Sequence, residues 1–308
     1  MGFIGFDTSN YTTSVAFFDG ENMYQKKRLL PVKEGERGLR QSDAVFHHTK
    51  AYPHLLSELM SDVRSDIDAV GASVKPTTQE GSYMPCFLVG EGAALTVGTA
   101  NKVPVYTFSH QQGHIAAALF SSGKTELFNE HFYAFHVSGG TTDLVLCKPD
   151  EKEIIKVTPI ASSSDLKAGQ AVDRIGVKMG LSFPAGAGIE ELASRSQRVY
   201  KNKIKLKDGF CSLSGLENKC LKMLSDGDSG EDVAMFLLCY IADAVIAMTK
   251  DAFEKHGKLP VVYAGGVMSD KIIRNRISAE YECFFAEPQY SCDNAAGVAY
   301  LAYLSHKR

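Results

Sequence analysis

The chain has 308 residues, a net charge of −3, 44% hydrophobic and 22% charged residues, and no Trp. This is the composition of an ordinary soluble globular protein, with length for two domains or two lobes and an ample core. The slight acidity excludes a global electrostatic pull toward nucleic acid, so any RNA contact must come from a local patch or a partner. Seven cysteines, an odd number without a Cys-x-x-Cys pair, read as reduced thiols in a cytosolic protein.

In chain order, Phe3-Ile4-Gly5-Phe6 reads as a strand that starts at once, without a preceding signal peptide. It runs into the hydroxyl-rich turn Asp7-Thr8-Ser9-Asn10-Tyr11-Thr12-Thr13 and on into Ser14-Val15-Ala16-Phe17-Phe18, which makes a β-hairpin. Asp43 to Val63 reads as a helix that Pro53 kinks or begins. Asp68 to Ala72 follows as a strand, Phe87 to Ala100 as a glycine-containing helix, and Val103 to Tyr106 as a strand delivering His110. Tyr133-Ala134-Phe135-His136-Val137, the turn Ser138-Gly139-Gly140-Thr141-Thr142 and Asp143-Leu144-Val145-Leu146 repeat the first hairpin's plan. The repetition suggests a duplicated two-lobe α/β architecture with a cleft between lobes; the alternative is two unrelated hairpins.

Further along, Gly169-Gln170-Ala171-Val172-Asp173 precedes a helix and places Asp173 at its start, as a cap or as a ligand for ribose hydroxyls. Lys201, Lys203, Lys205 and Lys207 alternate as on an edge strand, where charge blocks edge-to-edge pairing or touches RNA phosphates. Ser229-x-x-Asp232 resembles a capping box before a helix whose apolar residues recur from Leu237 to Met248, with Gly257 as the stop. The apolar stretch Val233 to Ala242, closed by Asp243, is too short to span a bilayer. Val261 to Ala264 is a strand ending in Gly265-Gly266. The expectation is a cytoplasmic protein without a membrane partner.

The chemistry-bearing residues begin with His110 and His114, one helical turn apart on one face. Two imidazoles so placed can grip a divalent cation with a distant carboxylate, or they form an ordinary pair. Asp7-Thr8-Ser9 and Ser138 to Thr142 are turns that suit a polyphosphate. His47, His48 and His54 read as a solvated helix face, with a place near the cleft as the alternative, and Cys292 as a buried thiol rather than a ligand.

Taken in order, Asp-Thr-Ser, His-x-x-Gly-His, Val-Ser-Gly-Gly-Thr-Thr, Gly-x-Ala-x-Asp, Ser-x-Ser-Gly-Leu, Gly-Gly-Val and Asp-Asn-Ala-Ala resemble the tRNA N6-threonylcarbamoyladenosine transferase family of the bacterial TsaD type. Older usage calls it O-sialoglycoprotein endopeptidase or glycoprotease. The resemblance runs from Ile4 to Ala302. It implies the two-lobed α/β fold of actin, sugar kinases and chaperone ATPases, here with a first lobe of residues 1–107 closed by a helix at 292–308 and a second lobe of 108–291. It further implies one divalent ion, iron or zinc, on His110, His114 and Asp293. An adenine nucleotide or adenylate would sit on Val137, Ser138, Gly139, Gly140 and Thr141, with Asp173, Gly186 and Asp270 as further contacts and Asp7, Thr8 and Ser9 on the phosphate side. The implied reaction moves threonylcarbamoyl from its adenylate to N6 of a tRNA adenosine, with tRNA and a homologous partner lobe, as homodimer or heterodimer.

Departures from the family pattern point to a divergent paralogue. Gln112 stands where the family has Glu, Gln170 where it has a second Glu, and Asp270 where it has Asn. Ser73 to Thr78 replaces a Gly-Pro-Gly run, and Thr141 replaces a frequent His. Two other functions therefore stand beside the transferase: a carbamoyltransferase acting on a small molecule or protein, and a non-catalytic paralogue binding nucleotide and a family partner. Proteolysis is disfavoured, because the histidine pair lacks the glutamate of His-Glu-x-x-His that activates water.

Overall fold

A computed structural model describes residues 1–9, 11–32, 39–293 and 295–308. Asn10 and Asn294, both members of motifs above, lie outside the described residues. The chain divides into two compact units.

Unit 1 comprises Met1–Asn129, Pro149–Val157 and Gln289–Arg308. Its sheet is built from β1 (Phe3–Asp7), β2 (Thr12–Phe18), β3 (Met23–Leu29), β4 (Ala69–Lys75) and β5 (Val105–Ser109), in the order β3-β2-β1-β4-β5. β1 and β2 form the expected antiparallel hairpin, with Asp7 opposite Ser14, and β4 and β5 add in parallel. β1 and β2 are buried along their whole length, as a central apolar run requires. The outer strand β3 carries Lys26, Lys27 and Arg28, charges that blunt an exposed edge.

Helices α1 (Gln41–Asp62), α2 (Phe87–Asn101) and α3 (His110–Ser121) fall within two residues of the expected limits where these were read, and α1 runs through Pro53. The C-terminal helix (Ala296–Lys307) crosses the sheet where side chains vanish. A Cβ on Gly5 would lie 2.6 Å from Ala295 O and Ala299 N, and one on Gly71 2.8 Å from Val298 O. A Cβ on Gly297 would overlap Gly113 O outright, so α3 and the C-terminal helix touch backbone to backbone. That contact carries the first segment of the unit past the expected boundary at residue 107, to Asn129.

Unit 2 comprises Glu130–Lys148 and Thr158–Pro288. Its sheet is built from β6 (Phe132–Val137), β7 (Thr142–Asp150), β8 (Ile154–Ser162), β9 (Val261–Ala264) and β10 (Phe284–Phe285), in the order β10-β9-β6-β7-β8, the end of β7 and the start of β8 falling in the 149–157 segment counted with unit 1. β6 and β7 are antiparallel, while β9 pairs in parallel with β6 and with β10. Read from β8 to β10, this is the order of the first sheet, strand for strand, so the two hairpins head two versions of one topology. Phe135, Tyr263 and Phe285 stack across three strands, with ring centroids 5.3 and 4.7 Å apart.

The helices of unit 2 are α4 (Ala168–Lys178), α5 (Gly186–Ala193), α6 (Ser214–Ser225), α7 (Gly230–His256) and α8 (Lys271–Ser278). α7 continues well past Asp243, whose carboxylate pairs with the Arg276 guanidinium at 2.6 Å. It has 27 residues and the length and composition to cross a membrane, yet 67% of its most apolar window is buried inside the fold as the core helix of this unit. Ser229 Oγ caps it by accepting from Asp232 N at 3.2 Å. The reciprocal half of the expected box is replaced, since the Asp232 carboxylate accepts from Ser196 Oγ and pairs with Arg198. Lys201, Lys203, Lys205 and Lys207 alternate outward with Ile204 and Leu206 packed inward, but the segment is extended chain rather than a named strand.

Candidate functional site

In unit 1, three parallel strands end side by side and deliver the site. β1 ends in Asp7, β4 carries Ser73, and β5 runs directly into α3, whose first residue is His110. Ser109 caps α3 by accepting from Gln112 N at 3.2 Å, while Ser109 N donates to Gln112 Oε1 at 2.8 Å. This reciprocal cap fixes the first turn, and one turn later His114 lies over His110. Their ring centroids are 4.4 Å apart and their Nε2 atoms 3.0 Å apart. The Gly113–Gly297 contact brings the start of the C-terminal helix alongside. Asp293 Oδ1 then lies 3.3 Å from His114 Nε2 and 3.5 Å from His110 Nε2.

Those three donor atoms suit a single ion. The circle through points separated by 3.0, 3.3 and 3.5 Å has a radius of about 1.9 Å. Zinc–imidazole bonds run to about 2.0–2.1 Å, so the spacing of two imidazole nitrogens and a carboxylate oxygen fits one divalent ion, which His110, His114 and Asp293 would hold. Behind the triangle, His110 Nδ1–H donates to Asp7 Oδ2 at 2.7 Å.

The electrostatics follow from burial and charge. Burial alone would raise Asp7, but the His110 charge and hydrogen bond, with that of Ser73, hold its carboxyl below the usual range. Burial pushes His110 down, and the Asp7 charge with the hydrogen bonds to Asp293 and Asp7 overrides it, lifting His110 to about 10. His114 is lowered by burial and then by the neighbouring His110 charge. Asp293 lies well below the carboxylate range because hydrogen bonds from His110 and His114 outweigh burial. Two carboxylates facing one imidazolium leave the cluster net negative, a charge balance that favours a divalent cation over a proton.

The rest of the first turn is used structurally. Thr8 Oγ1 donates to Cys86 O at 2.9 Å and accepts from Gly90 N at 3.0 Å, anchoring the start of α2. Ser9 Oγ is buried without a hydrogen-bond partner among the described residues. His48 is fully buried, not part of a solvated face: its Nδ1 lies 2.8 Å from Thr13 Oγ1, and burial pushes it down to about 4. His47 is half-buried and His54 exposed. Cys292 is exposed rather than buried, since it sits in the turn that aims Asp293 inward.

In unit 2, the loop after β6 closes on itself. Ser138 N donates to Thr141 O at 2.9 Å, and the Ser138 and Thr141 hydroxyls lie 2.9 Å apart. Val137 is buried at the strand end, while Gly139 and Gly140 are exposed, with open space where a side chain would stand. The N-terminus of α4 abuts this loop: Ala168 N donates to Thr142 Oγ1 at 2.8 Å and Gly169 N to Ser138 O at 3.2 Å. A Cβ on Gly169 would lie 2.6 Å from Ser138 O, which explains glycine there. Gly265, at φ +97°, likewise lies against the backbone of Val137.

Asp173 lies in the middle of α4 rather than at its start, because the helix begins at Ala168. Its Oδ1 accepts from Ala185 N at 2.8 Å, which ties down the turn that opens α5 at Gly186. Burial raises the Asp173 carboxyl. Asp270 is buried at the N-cap of α8, where Oδ1 accepts from Ile273 N at 2.9 Å. Glu190 of α5 accepts from Lys271 N next door.

The two glutamines that replace family glutamates have one role in common. Each is the third residue of its helix and reaches back to the cap: Gln112 Oε1 to Ser109 N, and Gln170 Oε1 to Lys167 N at 3.4 Å. Gln112 also donates from Nε2 to Ile155 O at 3.0 Å, which a carboxylate could not do. Gln112, standing where the family has Glu, spends its side chain on the helix cap and on the 149–157 segment of unit 1.

Two α/β units with one sheet topology define the class, that of actin-like and sugar-kinase-like proteins. Solved structures similar to the chain agree. Full-length HypF in the phosphate- and nucleotide-bound form gives a TM-score of 0.62 at 11% identity, covering 98% of this chain and 46% of that one. (R)-2-hydroxyglutaryl-CoA dehydratase component A from Acidaminococcus fermentans gives 0.55 at 14% identity, covering 100% of both chains. A ROK family glucokinase from Streptomyces griseus, in complex with glucose and AMPPNP, gives 0.54 at 13% identity, also with 100% of both chains covered.

At the level of sequence, the profile of the family described as TsaD, tRNA N6-adenosine threonylcarbamoyltransferase, matches residues 32–300, and the chain belongs to that family. Proteins named tRNA N6-adenosine threonylcarbamoyltransferase from Streptococcus pneumoniae strains Taiwan19F-14 and ATCC 700669 are each 29% identical over 315 residues. Those alignments cover 96% of this chain and 90% of each relative.

Proposed function

We propose that this chain is a metal- and nucleotide-dependent transferase that moves a threonylcarbamoyl group from threonylcarbamoyl-adenylate to N6 of a tRNA adenosine. Family membership supports the reaction class. The observation that carries the chemistry is the triangle of His110 Nε2, His114 Nε2 and Asp293 Oδ1, at 3.0, 3.3 and 3.5 Å. These residues would hold one iron or zinc ion, which supplies Lewis-acid stabilisation of charge developing on oxygen.

The remaining roles belong to the chain's own groups. Gly139 and Gly140 leave the backbone after β6 open to phosphate oxygens, and the Ser138 and Thr141 hydroxyls keep that loop in shape. Val137, at the strand end, sets the loop's position. Asp173 holds the turn before Gly186, where ribose hydroxyls would bind. Asp270 places a carboxyl where the family has a neutral amide, which weakens adenine nucleotide affinity. With a net charge of −3, the chain has no global electrostatic pull on tRNA, and a homologous partner subunit supplies the main part of the affinity.

The test has two parts. Metal analysis of purified protein should find one iron or zinc per chain, lost in a His110→Ala/His114→Ala variant that still folds; absence of a stoichiometric ion sinks the metal assignment. Threonylcarbamoyl-adenylate and unmodified tRNA should then give modified adenosine with a partner subunit present, and little with the chain alone, by nucleoside mass spectrometry. No product under either condition would overturn the transferase reading in favour of a different acceptor or a binding role.

A further inference from the structure

We infer that Asp7 is the positioning residue of the metal centre: it fixes the tautomer and orientation of His110 and does not itself contact a phosphate. The inference rests on the metal assignment above and goes beyond it, since the first turn was expected on the phosphate side.

Asp7 is fully buried at the end of β1, and both its oxygens are engaged. Oδ2 accepts from His110 Nδ1 at 2.7 Å and from Ser73 Oγ at 2.7 Å, while Oδ1 accepts from Ser9 N at 2.9 Å. A carboxylate so enclosed has no face to offer a phosphate, and its charge would repel one. It does what a carboxylate behind a metal-bound histidine does. With Nδ1–H committed to Asp7, the only lone pair of neutral His110 is on Nε2, the atom that faces His114 and Asp293. The adjacent negative charge makes that lone pair a better donor.

The sheet explains why the carboxylate is rigid. β1 is hydrogen-bonded on one side to β2 and on the other to β4, which carries Ser73, so neither Asp7 nor its hydroxyl donor can swing away. His110 opens a helix whose first turn is locked by the Ser109–Gln112 cap. Partners 103 residues apart in sequence thus meet from two fixed elements, with the geometry set before any ion arrives.

The experiment is chelator-competition measurement of cobalt(II) affinity together with the ligand-field absorption spectrum of the cobalt-loaded chain. Asp7→Asn, equal in size, should weaken cobalt binding by about 10–100-fold and shift the spectrum, as loss of an outer carboxylate does. Ser73→Ala keeps the carboxylate but removes one of its donors; it guards against a folding defect in the first variant and should weaken binding by a smaller factor in the same direction. Equal affinity and identical spectra in the unmodified chain and both variants would overturn the role of Asp7 alone. Failure of the unmodified chain to bind cobalt would overturn the metal assignment, and this inference with it.

Discussion

Replacing Asp270 by asparagine should stabilise the protein at neutral pH and do nothing for it in acid. Asp270 is 7% exposed at the N-cap of α8. Burial lifts its carboxyl from 3.8 to about 6; the hydrogen bond from Ile273 N opposes the rise, and the charge of Glu190 adds to it. A native value above the unfolded one means that the protonated group favours the fold. That stability is fully present below the unfolded value near 4 and disappears as pH rises through about 6. The shift of about two units, at about 1.4 kcal/mol each, sets a ceiling of about 3 kcal/mol on the penalty at pH 7.5. Asparagine caps helices as well as aspartate does, so Asp270→Asn keeps the acceptor for Ile273 N and removes the buried charge. Its new amide protons need partners, which reduces the expected gain to about 1–2 kcal/mol. Urea unfolding of both proteins at pH 4.5, 6.0 and 7.5 should show a difference that grows with pH. A difference independent of pH would refute the reasoning, because the amide protons contribute equally at every pH and only the titrating charge can make the difference grow. If adenine nucleotide binds at this position as proposed, calorimetry should also show tighter binding to the variant.

Gln112→Glu, which restores the family residue, should cost about 1–3 kcal/mol in urea unfolding. The carboxylate keeps the cap but buries a charge and loses the donor that Ile155 O accepts from. Unchanged stability would show that the amide contact is dispensable. Gly297→Ala should force α3 and the C-terminal helix apart at Gly113 O, costing about 1–3 kcal/mol by overpacking. The same change displaces Asp293 from the histidines, so metal affinity should fall by more than tenfold, read by chelator competition; retained affinity would mean that Asp293 is not held by this contact.

Much of this protein is legible locally. Buried strands announce themselves as apolar runs, the two hairpins by hydroxyl- and glycine-rich turns between such runs, and α7 by its 3.6-residue period. His110 and His114 share a helix face wherever that helix lies, because four residues make roughly one turn. The ordered motifs then suffice for the family, and with it the fold class.

What only the tertiary structure decided are the meetings of residues without a local signal. Asp7 and His110 are separated by 103 positions, and His114 and Asp293 by 179. Nothing near Asp7 distinguishes a carboxylate facing a phosphate from one facing an imidazole until β4 and β5 bring Ser73 and His110 to the same sheet edge. Nothing near His48 separates a solvated histidine from a buried one until α1 lies on β2 and Thr13 reaches its Nδ1. The glutamines looked like lost acids because residue type reports charge, whereas their use as caps depends on where each helix begins. Asp173 moved to mid-helix for the same reason. Periodicity and turn chemistry are properties of neighbours in sequence; the site is made by glycines that let distant backbones touch, and that complementarity exists only in the folded chain.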